Sequence, residues 1–482
     1  MNRPVWAIPL TTALLCGGLG SIAAATPASA EPSARAAVPC TAGVPLASDF
    51  DGDGTADLVV GAKRTNGSDT VRVQSIQPSD GGAAVWLADT GELRTADLNG
   101  DVCADALVFS GGHTPWLRAA LGTPDGLDVA DATDVVVPQA ADVADDARRS
   151  LTFEVAGLRH DGFSQIAISG RHVVDLGEDG PEEYGAYLDV LSLDSSLAVT
   201  TTQVLTFPKI SRDIWDFGSA LATSGRTIVV GHPSAIVNRH YGAGAVLIYS
   251  ADTADPTHVV LRKTLTQNSA KVPGTAEAYD FFGATLALRN GRLAIGAPGE
   301  ADGKIHASGL VQPMVWHESK LTYTAYRAIT QDTKGVPGSN EKDDQFGVHL
   351  AIARGLTASG SYDILIGATE AYGRLADAGS VTVANLTRPL YRTYTQATKG
   401  VPGNPQAGDE FCHVGVLQGS AGTDTVLIGA PGEDSYGISD YGRAIRSDGK
   451  RLSSKTGWSS IGVPPDAPTG MVNWGFDFAA TP

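Results

Sequence analysis

Short apolar runs rich in β-branched residues recur along the chain, and each ends at a glycine followed by alanine or histidine. Four clear examples are Ile228–Val230, Leu293–Ile295, Ile364–Ile366 and Val426–Ile428. Runs this short, bounded by turn residues, predict buried β-strands, because a helix would need a longer segment with a helical period. No segment shows such a period strongly, so the pattern predicts an all-β protein.

The apolar runs belong to a longer repeat. Each is preceded by a Phe-Gly or related pair, and Phe217, Phe282, Phe346 and Phe411 stand 65, 64 and 65 residues apart. A single sheet leaves its faces uncovered, whereas sheets packed radially bury them. The repeat therefore predicts a seven-bladed β-propeller, with an array of β-sandwiches as the alternative. Weaker copies complete the seven units, near residues 45–92, 93–150, 151–213, 214–278, 279–342, 343–407 and 408–472.

The end of the chain starts an eighth unit. Trp474-Gly475-Phe476 lies 63 residues after Phe411, in register with the Phe-Gly pairs, and the chain stops at Pro482. One strand cannot form a blade. We expect residues 473–482 to pair with a neighbouring blade and close the ring, with a frayed tail as the alternative.

Four aspartates alternate along the loop before the first apolar run. Hard cations such as Ca²⁺ take about six to eight oxygen ligands, which carboxylates on a curling loop supply. An EF-hand loop would end in a glutamate and continue into a helix, whereas this loop leads directly into a strand. The sequence therefore predicts a calcium loop within a β-protein. Its expected ligands are the carboxylates of Asp49, Asp51, Asp53 and Asp57 and the carbonyl of Thr55.

A second loop in the next unit has the same spacing but one acid fewer. Val102 stands at the position of the turn glycine, where a β-branched residue is strained if φ is positive. We expect weaker calcium binding here. In the third unit Arg159 places a cation where the metal would lie, so we expect no metal there. The ligand positions of the second loop are Asp97, Asn99, Asp101, Cys103 and Asp105.

The combination of Phe-Gly, Gly-Ala-Pro and Asp-x-Asp-x-Asp-Gly-x-x-Asp resembles the FG-GAP repeat of the integrin α-subunit head. The Gly-Val-Pro-Gly connectors are more similar to secreted FG-GAP repeat proteins of actinobacteria. The resemblance implies a seven-bladed propeller with structural calcium, not a receptor. Unit seven departs from the pattern, because Cys412 replaces the glycine of Phe-Gly.

Three cysteines remain once an N-terminal export signal is removed, and an oxidising exterior allows one disulfide. The pairs Cys40–Cys103 and Cys40–Cys412 both join units that neighbour one another in a closed ring. In the secreted group that the chain resembles, a cysteine often precedes the first calcium loop and another lies inside a later one. That resemblance favours Cys40–Cys103 and leaves Cys412 as a buried thiol.

The N-terminus predicts secretion. Arg3, the apolar stretch Val5–Leu19 and Ala28-Ser29-Ala30 are typical of a signal peptide over residues 1–30, followed by a leader over 31–44. No other run is long enough to span a membrane. The net charge of −18 argues against a nucleic-acid partner, because phosphate binding needs basic patches. We expect a monomer.

The sequence carries no familiar catalytic motif. It has no His-Glu-x-x-His, no Gly-x-Ser-x-Gly, no phosphate-binding glycine loop and no Cys-x-x-Cys. We therefore expect a binding module for a protein or a cell-surface polysaccharide rather than an enzyme. The alternative is a carbohydrate-active hydrolase or lyase with acids converging on the central channel.

Overall fold

Seven four-stranded antiparallel sheets make up the described part of the chain. These residues belong to one compact unit, Val38–Pro482. Of the predicted signal peptide and leader, residues 1–44, the structure describes only residue 40. The computed structural model describes residue 40 and residues 46–66, 69–90, 92–111, 115–138, 149–174, 183–206, 216–419, 421–435, 437–453 and 455–478.

The strands are numbered in chain order, and each sheet is a blade with strands A to D from the channel outwards. Blade 1 holds β1 (Leu58–Asn66), β2 (Asp69–Gln77) and β3 (Val85–Thr90) as strands B to D. Blade 2 holds β4 (Glu92–Ala96), β5 (Asp105–Ser110), β6 (Trp116–Thr123) and β7 (Gly126–Val135). Blade 3 holds β8 (Arg149–His160), β9 (Phe163–Val174), β10 (Glu183–Leu193) and β11 (Val199–Thr206).

The second half of the ring is more regular. Blade 4 holds β12 (Leu221–Ser224), β13 (Thr227–His232), β14 (Ala245–Ala251) and β15 (Val259–Leu265). Blade 5 holds β16 (Thr285–Arg289), β17 (Arg292–Ala297), β18 (Leu310–His317) and β19 (Thr322–Ala325), with a 3₁₀ turn at Glu318–Lys320. Blade 6 holds β20 (His349–Arg354), β21 (Tyr362–Ala368), β22 (Ser380–Asn385) and β23 (Tyr391–Tyr394). Blade 7 holds β24 (His413–Leu417), β25 (Thr425–Ala430), β26 (Arg443–Ser447) and β27 (Trp458–Ile461).

Burial explains why the middle strands read as continuous apolar runs. Every residue of β14 and β22 is buried, whereas the outer strand β15 is largely exposed between its buried ends. Adjacent blades cover both faces of the middle strands, as where Val311 of blade 5 joins Ile364 and Ile366 of blade 6 in one core cluster. The seven-bladed β-propeller predicted from the sequence is confirmed.

The last strand, β28 (Met471–Asp477), is the inner strand of blade 1. It pairs antiparallel with β1, so the first and last parts of the chain share a sheet. Trp474 is 1% exposed in the core between blades 1 and 7, and its indole Nε1 donates to the Ile461 carbonyl at 3.0 Å. The ring is therefore held closed by hydrogen bonds and by a buried aromatic side chain.

The blade topology divides the loops between two faces. In an antiparallel blade the A–B and C–D turns lie at one end and the B–C loops and D–A connectors at the other. Residues 49–57 and 97–104 lead into strand B of blades 1 and 2, and they define the acidic-loop face. The B–C loop 298–309 and the D–A connector 326–348 belong to the opposite end, the connector face.

Candidate metal centre and axial channel

The first acidic loop gathers three carboxylates. Ligand oxygens of Asp49, Asp51 and Asp53 all lie within 4.8 Å of one another. The loop curls because these side chains accept its own backbone N–H groups. Gly54 donates to Asp49 Oδ2 at 2.9 Å, and Thr55 donates to Asp53 Oδ1 at 2.7 Å.

Asp49 is the least solvated member of this set. Its side chain is buried, and its Oδ1 has no hydrogen-bond partner among the described residues. Burial raises the pKa of Asp49 to about 6, and the neighbouring Asp53 and Asp51 add to the rise. A buried oxygen without a donor, beside two further carboxylates, suits a hard cation, because a cation relieves both the repulsion and the desolvation.

Asp57 is held differently from the other three. Its Oδ2 accepts the backbone N–H of Phe50 at 2.9 Å, and its Oδ1 accepts that of Ser79 at 2.8 Å. Burial raises the pKa of Asp57 to about 7, against these hydrogen bonds. Asp57 ties the loop to the C–D turn of its own blade. Its role as a ligand, and that of the Thr55 carbonyl, stay predictions.

The second loop is less open to a metal. Within the described residues Asp97, Asp101 and Asp105 do not form a cluster like that of the first loop. Asp105 is used by the backbone, since Leu98 donates to its Oδ2 at 2.6 Å and Gly122 to its Oδ1 at 2.9 Å. Calcium binding at the five predicted ligand positions of this loop stays a prediction.

A cationic side chain lies over the second loop. Arg159, at the end of β8, places its Nη1 3.6 Å from Asp97 Oδ1. The guanidinium also covers Gly100, where an added Cβ would overlap it. Val102 adopts φ 85°, the positive value expected to strain a β-branched residue. The sequence placed Arg159 in the third unit, but its charge acts on the second.

A disulfide joins the second acidic loop to the segment before the first one. Cys40 and Cys103 form a disulfide with a Cα–Cα distance of 5.7 Å, and Cys412 is a buried free thiol. The backbone N–H of Ala104 also donates to the Asp49 carbonyl at 2.7 Å. A link across 63 residues contributes about 2 to 4 kcal/mol. The first two blades are therefore bound together at the acidic-loop face.

The central channel has a cavity at each end. One of about 680 Å³ opens at the acidic-loop face and includes Asp97 and Arg159 in its lining. The other, of about 390 Å³, lies where the inner strands begin, towards the connector face. We call the second one the upper cavity. Charged side chains from blades 1 to 3 line one side of it, and two histidines from blades 6 and 7 line the other.

The charged side of the upper cavity is an ion-pair cluster centred on Arg94. Its Nη2 donates to Oε2 of Glu92 at 2.9 Å and of Glu154 at 2.8 Å, and its Nη1 lies 3.8 Å from Asp477 Oδ2. Arg72 also pairs with Glu92. Sequence reasoning missed this cluster, because its members come from three blades at different places in the repeat.

The two glutamates of this cluster differ in acidity. Burial raises the pKa of Glu154 to about 8, although Arg94 opposes the rise. Burial opposes ionisation of Glu92 too, but Arg94 and Arg72 together hold its pKa below the usual value. The two glutamates are therefore shifted in opposite directions by their surroundings.

A second arrangement of buried acids repeats at three blade junctions. Gln267 Nε2 donates to Glu300 Oε2 at 2.5 Å, close to Asp280, whose Oδ2 accepts the backbone N–H of Glu277 at 2.6 Å. Burial raises the pKa of Glu300 to about 7, and the charge on Asp280 adds to the rise. Each glutamine belongs to a Thr-Gln pair that recurs in the connectors, a sequence signal from which these sites could have been found. The equivalent sets are Gln331, Glu370 and Asp344, and Gln396, Glu433 and Asp409.

Residues 42–74 match the family described as FG-GAP repeat. The match spans the first acidic loop, β1 and part of β2. The protein is a seven-bladed propeller with an FG-GAP repeat in its first blade. The described part of the chain contains no helix with the length and hydrophobicity that crossing a membrane requires.

No curated protein matches the sequence. Among solved structures, the Pseudomonas aeruginosa periplasmic gluconolactonase PpgL shares 11% identity, covering 88% of this chain and 99% of that chain at a TM-score of 0.44. A protein from Lactobacillus plantarum shares 10% identity, covering 87% and 99% at 0.43. Cobalt-substituted Synechocystis ACO shares 10% identity, covering 88% and 93% at 0.39. Similarities this distant carry no argument about chemistry.

The raised carboxyl pKa values predict how stability depends on pH. A group such as Glu300 binds its proton more tightly in the folded state, so stability falls as pH rises from its unfolded pKa, near 4.5, to about 7. We expect the free energy of unfolding, measured in chelator by denaturant titration, to decrease from pH 5 to pH 8. Glu300→Gln, which mimics the protonated form, should flatten this slope. An equal or steeper slope in the variant would contradict the assignment.

Proposed function

We propose that this protein is an exported, calcium-stabilised propeller whose connector face binds a cell-surface polysaccharide. The observation that carries the proposal is a set of exposed tyrosines on that face, each on a loop fixed by the rigid ring. The predicted signal peptide and the disulfide support export, because disulfides persist in oxidising compartments.

Calcium would be held by Asp49, Asp51 and Asp53 in the first acidic loop. When bound, the ion supplies positive charge to carboxylates that otherwise repel one another. Because the Asp49 carbonyl accepts the Ala104 N–H of the second loop, ordering the first loop stabilises the junction of blades 1 and 2. An ion that binds only the folded chain adds about 2.7 kcal/mol at a hundredfold excess over its dissociation constant.

Removing calcium should lower the midpoint of thermal unfolding by several degrees, because that stabilisation is lost. Asp51→Ala and Asp53→Ala should abolish the calcium-dependent shift yet leave the chelated protein as stable as the wild type, since they also remove repulsion. The matched control is Asp131→Ala, which removes an exposed carboxylate far from the loop in sequence. An identical midpoint with calcium and with chelator would disprove calcium binding by the folded chain.

Three tyrosines project from the connector face. Tyr241 is 59% exposed in the B–C loop of blade 4, Tyr279 is 63% exposed in the following connector, and Tyr372 is 46% exposed in the B–C loop of blade 6. Ile236 and Ile438 are also exposed in B–C loops. Exposed aromatic side chains on fixed loops are typical of recognition surfaces, because they bury a large area at little cost in entropy.

The backbone fixes one pair of these tyrosines. Tyr279 donates its N–H to the Tyr241 carbonyl at 2.8 Å, and its ring lies 6.2 Å from that of Phe281. Tyr279 and Phe281 both have positive φ, but so do Asp343 and Gln345 in the next connector, so the conformation belongs to the repeat. Separate aromatic platforms on several blades suit an extended sugar polymer better than one compact apolar partner.

Tyr241→Ala, Tyr279→Ala and Tyr372→Ala should each weaken polysaccharide binding about tenfold, the loss expected for one stacking contact of roughly 1.4 kcal/mol. Binding is measured on a glycan array and then by titration with the best polysaccharide. Phe163→Ala, which removes an exposed aromatic from the acidic-loop face, is the matched control. Binding by the triple variant equal to that of the wild type would refute this surface.

The upper cavity favours a second candidate, a carbohydrate-active hydrolase. Burial raises the pKa of Glu154, whereas two arginines hold that of Glu92 below its usual value, and an acid and a base need such unequal acidities. Release of reducing sugar from a polysaccharide by the wild type, lost in Glu154→Gln and Glu92→Gln, would establish this activity. Absence of turnover across a polysaccharide panel would leave the cluster as an ion-pair network that joins blades 1 to 3.

A further inference from the structure

Two histidines face each other across the junction of blades 6 and 7. His349 begins β20 and His413 begins β24, and both line the upper cavity. They hold the same place in their blades, since His349 pairs with Gly367 and His413 with Gly429 in corresponding registers. In blade 5 this place is taken by Thr285, which pairs with Gly296.

A one-residue difference in unit seven creates this arrangement. Two residues separate Phe346 from His349, whereas only Cys412 separates Phe411 from His413. The sequence pattern aligned Val414 with His349, but the structure brings His413 into that place. Cys412 then lies where other units have the glycine of Phe-Gly. The missing residue brings His413 to His349, and the cysteine that replaces glycine lies beside the same histidine.

The three side chains form a cluster with mixed nitrogen and sulfur ligands. Ligand atoms of His349, Cys412 and His413 lie within 4.8 Å of one another. The two imidazole ring centroids are 4.1 Å apart, with 34° between the ring planes. Donor atoms around a tetrahedral Zn²⁺ lie about 3.5 Å apart at bond lengths of about 2.0 to 2.3 Å, so modest side-chain rotations would complete the site.

A hydrogen bond to the backbone fixes the tautomer of His413. Its Nδ1 lies 2.7 Å from the Phe476 carbonyl, which can only accept, so Nδ1 carries the proton. Its Nε2 is the ring nitrogen left to bind a metal, and it lies 3.7 Å from Glu410 Oε2. A carbonyl that fixes the tautomer of a histidine ligand is the usual outer partner in zinc sites.

We propose that His349, His413 and Cys412 form a binding site for a borderline transition-metal ion, with Zn²⁺ as the natural occupant. Two imidazoles and a thiolate are ligands that Zn²⁺ prefers and Ca²⁺ does not, so this site is chemically distinct from the first acidic loop. His349 and His413 line the upper cavity, which gives a metal ion a route to the site. Binding displaces the Cys412 thiol proton to solvent.

The test is titration of the intact, untagged protein with Co²⁺ and Zn²⁺ in the presence of millimolar Ca²⁺, which saturates the acidic loops. The wild type should bind one Co²⁺ with a thiolate-to-cobalt charge-transfer absorption, and one Zn²⁺ should displace it. His349→Thr and His413→Thr should each weaken binding at least tenfold. Both variants place at this position the residue that blade 5 already carries there, so folding is preserved. Cys412→Ser should remove the charge-transfer band.

The control is His306→Ala, which removes an exposed histidine from the connector face and should leave the titration unchanged. Thermal unfolding supplies a second readout, because Zn²⁺ should raise the midpoint of the wild type but not that of the double histidine variant. Absence of a charge-transfer band, or equal affinity in the wild type and the two threonine variants, would overturn the proposal and leave Cys412 as a packing residue. Neither result depends on polysaccharide binding.

Discussion

The ring depends on a close backbone contact between an aromatic residue of one blade and a glycine of the blade before it. Phe346 donates its N–H to the Ser308 carbonyl at 3.1 Å, and the neighbouring Gly309 leaves no room for a side chain beside it. The same step occurs where Phe282 meets Gly244, Phe411 meets Gly379 and Trp474 meets Gly442. The four aromatic rings are almost completely buried. Each step fixes the distance and rotation from one blade to the next.

Ring closure follows from the same step. Trp474 takes the place of phenylalanine at the junction of blades 7 and 1. It lies within β28, the strand that completes blade 1. A closed ring brings side chains from distant parts of the chain into one channel. Closure brings Asp477 of the last strand to Arg94. The pair of His349 and His413 instead forms between two consecutive blades. Only the ion-pair cluster of the upper cavity therefore draws on both ends of the ring.

The repeat made much of the fold predictable. Strands B and C are buried on both faces, so they appear in the sequence as continuous apolar runs. The constant spacing of the Phe-Gly pairs predicted the number of blades. The Cys40–Cys103 bridge, one of two pairings that the residues alone left open, is the one formed. The acidic spacing located a cluster at Asp49, Asp51 and Asp53, although it could not show that Asp57 is engaged by backbone amides.

What the sequence could not show depends on contacts between blades. Arg159 acts on the loop of the preceding blade, and Glu154 pairs with Arg94 of that same preceding blade. His413 reaches the position of His349 because unit seven is one residue shorter, a change that the pattern of apolar residues conceals. Such features require the rotation between blades, which no single repeat contains.

The most direct test of this account compares two glycine substitutions in the same loop of blade 5. Gly309 (φ 85°) abuts Phe346, whereas Gly303 (φ 61°) has open space around it. Gly303→Ala should cost about 1 kcal/mol from backbone strain alone. Gly309→Ala should cost about 3 kcal/mol or more in equilibrium denaturation, because it also forces two blades apart. Equal losses in the two variants would contradict the central role of the glycine–aromatic step.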